Sequence, residues 1–288
     1  MTPKPAATEA LFDPDTALKA KHRAMWALGD YPSVAVDLIP SLGRVLVQAV
    51  GVGKDQRVLD VASGTGNAAI PAVQAGASVV ASDLTPELLA AGNQVATATL
   101  GADERRRLTW RQADAEDLPF ADAEFDTVLS CVGVMFAPHH QRSAQEMLRV
   151  CRPGGLIGLL NWTPDGFIGQ LLATMKPYVA APPVGAQPPP LWGVENHVRH
   201  LFGEGISELS AITASVHIDH FDSGESFRDY FKQAYGPTIA AYRALAEDPK
   251  RTACLDAEMV ELAASHLAEG AMDWEYLLVV ARRSVSLD

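Results

Sequence analysis

Asp60, Ser63, Gly64 and Gly66 stand in the run Val58-Leu59-Asp60-Val61-Ala62-Ser63-Gly64-Thr65-Gly66-Asn67, an apolar strand ending in an acid, then a glycine turn, then the start of a helix. Glycine has no Cβ, so a ligand can press against bare backbone there. A helix start also aims free N–H groups at such a ligand. The chemistry this suits is capture of a nucleotide-like cofactor, either a dinucleotide or S-adenosylmethionine. Gly64-x-Gly66-x-x-Ala69 satisfies the relaxed dinucleotide pattern, so the glycines alone do not choose. Asp60, four residues before Gly64, favours the second ligand: a carboxylate can meet the ammonium of a methionine tail and would repel a pyrophosphate. Asp60 as a cap of the following turn is the alternative. Asp83, at the end of the apolar run Val79-Val80-Ala81-Ser82-Asp83, is placed to accept from two ribose hydroxyls, a feature that serves either cofactor.

Two later segments separate the readings. Arg111-Gln112-Ala113-Asp114-Ala115-Glu116-Asp117-Leu118-Pro119-Phe120 precedes Phe125-Asp126-Thr127-Val128-Leu129-Ser130-Cys131, and Arg149-Val150-Cys151-Arg152-Pro153-Gly154-Gly155 follows. With these, residues 55 to 162 resemble the class I S-adenosylmethionine-dependent methyltransferases, in the small-molecule branch that includes the quinone-biosynthesis C-methyltransferases. Four motifs in series are far more specific than one glycine turn. The resemblance implies that Asp60, Ser63, Gly64 and Gly66 meet the methionine portion, Asp83 the ribose, and Leu84 the adenine face. It implies that Asp114 accepts from the adenine amino group, that the Ala115 N–H donates to the ring, and that the backbone at Ser130 and Cys131 meets the donor ammonium. Many members carry glycine at the position of Ala62.

The elements needed to position these residues follow from hydropathy. Strands are expected near 57–62, 78–83, 108–113, 125–132 and 155–162, with helices near 65–75, 86–99 and 140–150. Alternating strands and helices argue an α/β fold with a mostly parallel sheet covered on both faces. The resemblance makes this a Rossmann-like sheet whose last strand, Trp274 to Arg282, runs antiparallel beside a strand over 211–221. Residues 1–13 read as a disordered tail, 14–50 as an N-terminal helical lid and 51–163 as the donor-binding core. Residues 164–203 read as a helical and Pro-rich cap, and 204–288 as closing strands carrying inserted cap helices near 224–246 and 252–269.

Methyl transfer from a sulfonium is an in-line displacement that asks for close approach and exclusion of water. Acceptor-side residues are less legible than donor-side ones. Trp26 and Tyr31 flank the hinge Gly29-Asp30-Tyr31-Pro32-Ser33 and are expected to fold over the donor, with Trp26 as a core residue the alternative. His139 and His140 follow the 125–132 strand at the open end of the sheet, where ligands of such folds bind. Either is a candidate general base, with helix capping the plainer reading. Phe136, Trp162, Met135, Phe167, Met175, Tyr178 and Trp192 are candidates for an apolar pocket.

The chain has 288 residues, 48% of them apolar and a net charge of −12. An acidic chain whose densest basic run is Arg105-Arg106-Arg107 is a poor nucleic-acid binder. Three scattered cysteines form no metal pattern and fit a reducing cytoplasm. No segment approaches the ~20 apolar residues of a membrane span. The reading is S-adenosylmethionine-dependent methylation of a small, apolar or aromatic acceptor, with S-adenosylhomocysteine as product. An NAD(P)-dependent oxidoreductase and a non-catalytic S-adenosylmethionine-binding protein are the alternatives. Monomer and homodimer both remain open.

Overall fold

The computed structural model describes residues 14–285; the tail expected at 1–13 lies outside them. Seven strands form one sheet: β1 (Arg57–Val61), β2 (Ser78–Asp83), β3 (Leu108–Gln112), β4 (Phe125–Cys131), β5 (Cys151–Trp162), β6 (Ile206–Ile218) and β7 (Met272–Arg283). Their order is β3-β2-β1-β4-β5-β7-β6. β1 pairs parallel with both β2 and β4, and β4 with β5. β7 lies antiparallel to both β5 and β6. This is the Rossmann-like sheet, with an antiparallel last strand, expected from the sequence.

Helices cover both faces. They are α1 (Pro14–Trp26), α2 (Tyr31–Asp37), α3 (Leu42–Val50), α4 (Ala69–Gln74), α5 (Pro86–Thr99), α6 (Ala102–Arg105), α7 (His140–Val150), α8 (Phe167–Met175), α9 (Glu195–Phe202), α10 (Gly224–Ala234), α11 (Gly236–Ala244) and α12 (Pro249–His266). The central strands read as near-continuous apolar runs because both faces are covered: Val58, Leu59 and Val61 of β1, and Val128 and Leu129 of β4, have no exposed surface. β6 instead is an edge strand, largely exposed until Val216 and Ile218.

Residues 14–50 divide in two. α3 is core: its Leu46 and Val50 press so closely on Gly158 of β5 that a Cβ there would lie 2.3 Å from Val50. Gly51, at φ 71, ends it in a left-handed turn that glycine adopts at no steric cost. α1 and the start of α2 instead lie over the carboxyl ends of the strands. The Pro-rich segment 181–190 is tied to the same end, since the Gln187 N–H donates to the Pro138 carbonyl at 2.9 Å. α8 packs on β7, α12 on α8, and α10 on α12 and α11, with Phe227, Phe231 and Leu255 only 0 or 1% exposed. Among the described residues, no single helix is long and apolar enough to cross a membrane.

Candidate active site

The carboxyl ends of β1, β2 and β4 surround an open cavity. On its floor lie Ala62, Ser63 and Gly64 after β1, and Asp83, Leu84 and Thr85 at the end of β2. Asp114 and Ala115 line one end, and Cys131, Val132 and Gly133 another. Lys19, His22 and Trp26 close it from above. Their spacing of three and four places them on one face of α1. The cavity thus gathers Trp26, Tyr31, Ser63, Gly64, Asp83, Leu84, Asp114, Ala115 and Cys131 from the residues singled out in the sequence. Asp60, Gly66, Ser130, His139 and His140 do not line it.

Each of those five has another partner. Asp60 is 1% exposed, and its Oδ2 accepts the Ala69 N–H at 2.8 Å. That bond caps α4, which starts at Ala69 rather than at the glycine turn. Burial pushes the Asp60 carboxyl up to about 8, against the Ala69 bond and with Asp83 adding to the rise. Gly66, at φ 89, faces Trp110: a Cβ there would lie 2.8 Å from the indole ring. The Ser130 hydroxyl donates to the Val61 carbonyl at 2.8 Å and accepts the Val134 N–H at 2.9 Å, locking β4 to β1. His139 holds Glu116 through its backbone N–H and through Nδ1, at 2.7 and 2.8 Å. His140 is fully buried, with Nδ1 3.0 Å from His197 Nε2 and its ring against Trp192. Burial, helped by His197 and His139, pushes it down to about 3.

Opposite shifts in Asp60 and His140 separate on a pH axis. Asp60 folds with its value above the ordinary 3.8, so the native state holds a proton that the unfolded chain has released. Its contribution to stability is present at low pH and is lost as pH rises toward 8. His140 folds below 6.5, so its contribution grows as pH rises from 3 to 6.5. Asp60→Asn removes only the first. Between pH 5 and 7 the wild type is expected to lose stability relative to the variant, at up to about 1.4 kcal/mol per pH unit. Urea melts of both proteins at the two pH values measure this, and parallel pH profiles would rule it out.

The floor of the cavity is strained backbone held by charge. Gly64, at φ 54, donates its N–H to Asp83 Oδ2, and the Thr85 N–H donates to Asp83 Oδ1, both at 2.8 Å. Burial pushes the Asp83 carboxyl up, while these amide bonds pull it down. Ala62 and Val132 sit at φ 52 and 48, a left-handed region that costs an L-residue roughly 1–2 kcal/mol. Such outliers collect at functional sites. Gly133 fits beside Ala62 only because it lacks a Cβ, which would lie 2.1 Å from the Ala62 carbonyl oxygen. Ala62→Gly should relieve the strain and stabilise the chain by about 0.5–1 kcal/mol, after glycine's extra unfolded-state entropy is subtracted. A lowered melting temperature would contradict this account of the turn.

Above the cavity, ion pairs hold α1 down. Lys19 Nζ lies 2.9 Å from Asp114 Oδ1 and 2.7 Å from Glu116 Oε2. Asp15, Glu116 and His139 offer ligand atoms within 4.8 Å of one another, and the cation seated against Glu116 is the Lys19 ammonium. His22 stands beside this group, and burial, then Lys19, lowers its pKa. Sequence reading missed Lys19 and His22; their 19-22-26 spacing with Trp26 is the only signal.

A second, small cavity adjoins the first and shares Trp26, Tyr31, Val132 and Phe136 with it. Val34, Ile39 and Ile168 add aliphatic wall, and Trp162, Phe231, Tyr235 and Trp274 add aromatic wall. Trp26 meets Tyr31, Phe136 and Tyr235 edge to face, with centroids 5.5, 4.8 and 5.8 Å apart. Of the apolar candidates from the sequence, Phe136 and Trp162 reach this chamber. Met135, Phe167, Met175 and Tyr178 are buried but do not line it, and Trp192 packs on His140.

The first cavity fits a zwitterionic nucleoside. The Asp83 and Asp114 carboxylates lie at separate points of its lining, and the buried Ser63 hydroxyl, also a lining group, has no protein partner. Comparison with known proteins agrees. Residues 59–159 match the methyltransferase domain family. An uncharacterized Mycobacterium tuberculosis protein, Rv1403c, is 51% identical over 91% of this chain and 94% of its own. The demethylmenaquinone methyltransferase of Renibacterium salmoninarum is 39% identical, over 43% of this chain and 48% of its own. The crystal structure of the Bacillus subtilis protein YcgJ superposes with a TM-score of 0.57 at 15% identity, covering 85% of this chain and 98% of that one. The chain belongs to the class I S-adenosylmethionine-dependent methyltransferases. It is an enzyme and S-adenosylmethionine is its methyl donor, which sets the dinucleotide reading aside.

Proposed function

We propose that this enzyme methylates a small apolar or aromatic acceptor, bound in the aromatic chamber, by in-line displacement. One observation carries the reading: the cavity that gathers the donor-type residues adjoins a chamber walled by aliphatic and aromatic side chains, with Trp26, Tyr31, Val132 and Phe136 lining both. Asp83 would hold the ribose, Asp114 and Ala115 the adenine, and the Ser63–Gly64 turn and the backbone after β4 the methionine tail. The donor supplies an electrophilic methyl group. Trp26, Tyr31 and Phe136 would surround that end, where aromatic faces favour positive charge and exclude water. His22 stands at the Asp114 end, away from the chamber. The three free thiols, with Cys254 exposed, suit a reducing compartment such as the cytoplasm.

The test separates the two halves of the site. Ile168→Phe should fill the chamber and raise acceptor KM at least about tenfold, since overpacking a filled site costs roughly 1–3 kcal/mol. S-adenosylhomocysteine should still raise the melting temperature of the variant as it does that of the wild type. Unchanged kinetics across a panel of aromatic acceptors would place the acceptor elsewhere.

A further inference from the structure

The chamber differs from the donor cavity in what it lacks. Its eleven lining side chains include no carboxylate, histidine, lysine, arginine or thiol. Its two phenols, Tyr31 and Tyr235, are pushed upward by burial, so neither takes a proton from a ligand near neutral pH. One lining residue, Trp274, carries an unpaired hydrogen-bond donor. Trp274 is 1% exposed, its ring is packed against Phe167 at 5.5 Å, and its indole N–H is buried without a partner. A buried donor left unpaired is costly, so an oxygen placed against it is favoured.

We propose that the acceptor enters the chamber already ionised, as an enolate- or phenolate-type oxyanion, and that the Trp274 N–H positions its oxygen. This rests on the methyl-transfer reading above. The charge balance favours it. The acceptor gives its proton to water before it is buried. The sulfur–methyl bond then breaks with its electron pair left on sulfur, and the acceptor's electron pair forms the new bond to the methyl carbon. A sulfonium and an anion become a neutral thioether and a neutral product. A low-dielectric chamber strengthens the attraction between those opposite charges, and the anion's burial is compensated by the adjacent sulfonium. A neutral amine would instead carry a full positive charge into apolar walls, which is costly. Its lone pair, needed for attack, could not also accept the Trp274 N–H.

The probes are 4-nitrophenol, whose ionised form absorbs in the visible, with nitrobenzene and 4-nitroaniline as neutral analogues. Binding is read by quenching of protein tryptophan fluorescence, with the enzyme loaded with S-adenosylmethionine or with S-adenosylhomocysteine. The expected result is that 4-nitrophenolate binds at least tenfold more tightly to the sulfonium complex than to the thioether complex, with the phenolate band visible in the bound state. Nitrobenzene should bind both alike. Trp274→Phe, which keeps the stacking on Phe167, should reduce the phenolate preference without changing affinity for S-adenosylhomocysteine. Equal phenolate binding to both complexes, or a preference of the sulfonium complex for 4-nitroaniline, would overturn the proposal while leaving methyl transfer in place. If none of the three probes binds at millimolar concentration, the chamber is not the acceptor site and both readings fall. The wild-type comparison decides the matter even if Trp274→Phe does not fold.

Discussion

Asp83→Ala is expected to lower affinity for S-adenosylhomocysteine at least about a hundredfold and to lower the melting temperature as well. The sequence alone suggests only the first effect, because a strand-end acid facing a ligand supports little packing. The structure adds the second. The two oxygens of Asp83 accept the N–H groups of Gly64 and Thr85, both at 2.8 Å. The same carboxylate that would meet the ribose therefore fixes the turn beneath the donor. A pair of hydrogen bonds to a charged group is worth roughly 3–6 kcal/mol on the ligand side. Leaving two buried amides unpaired costs roughly 1–3 kcal/mol each on the protein side. Calorimetry with S-adenosylhomocysteine, set beside a thermal melt, measures both. A variant with normal donor affinity would remove Asp83 from the donor site, and a variant with a wild-type melt would remove it from the turn. Asp83→Asn should fall between, because its amide can accept one of the two N–H groups and faces the other with a donor.

Lys19→Met should have the next largest effect, and it should be felt at a distance. Lys19 is 9% exposed, and the Glu116 side chain it neutralises is 2% exposed. Removing one member of a buried ion pair typically costs roughly 3–5 kcal/mol, because the remaining charge has lost its compensation. Glu116 keeps His139 at 2.8 Å and Arg142 at 4.0 Å, which blunts the loss toward the lower end of that range. The cost should appear in α1 first, since Lys19 is its anchor to the sheet. Hydrogen exchange over residues 15–26 should accelerate, while β1 and β4 stay protected. Donor affinity should fall about tenfold, because Asp114 loses the contact that orients it. Exchange in α1 equal to that of the wild type would show that Trp26 and its aromatic neighbours hold the helix without the ion pair.

The strands of the sheet were readable from the chain because parallel strands covered on both faces are apolar runs, and β1, β2 and β4 are such runs, closing on Asp60-Val61, Asp83 and Cys131. The donor side was readable as a neighbourhood for the same reason: ligands of such folds gather at strand ends. Individual contacts were not. Spacing cannot distinguish a glycine that bares backbone to a ligand from one that makes room for an indole, as Gly66 does for Trp110. Nor can it tell that Asp60 turns under the sheet to cap α4, or that His140 points into a buried pair with His197. The aromatic chamber was the least legible part, because its wall runs from Trp26 to Trp274. Side chains brought together by five separate stretches of chain leave no periodicity in any one of them. Lys19 and His22 were hidden differently. On an amphipathic helix, a polar face turned toward a cavity reads the same as one turned toward solvent.

The insertion of β7 between β5 and β6 fixes an order of events during synthesis. β5 has β4 on one side as soon as Trp162 is made, but its other edge pairs with Leu277, Leu278 and Val279 of β7. Roughly 110 residues separate the end of β5 from the start of β7, which a ribosome takes about 5–20 seconds to produce. For that interval the nascent chain carries an open, apolar strand edge, a known template for misassociation. The aromatic chamber has no Trp274 until the same moment, so Trp162 and Phe231 wait without their partner. β6, made earlier, cannot join the sheet until β7 provides its neighbour. Long-range closure of this kind slows folding, and it makes the Met272–Arg283 segment the gatekeeper of both the sheet and the site in a growing chain.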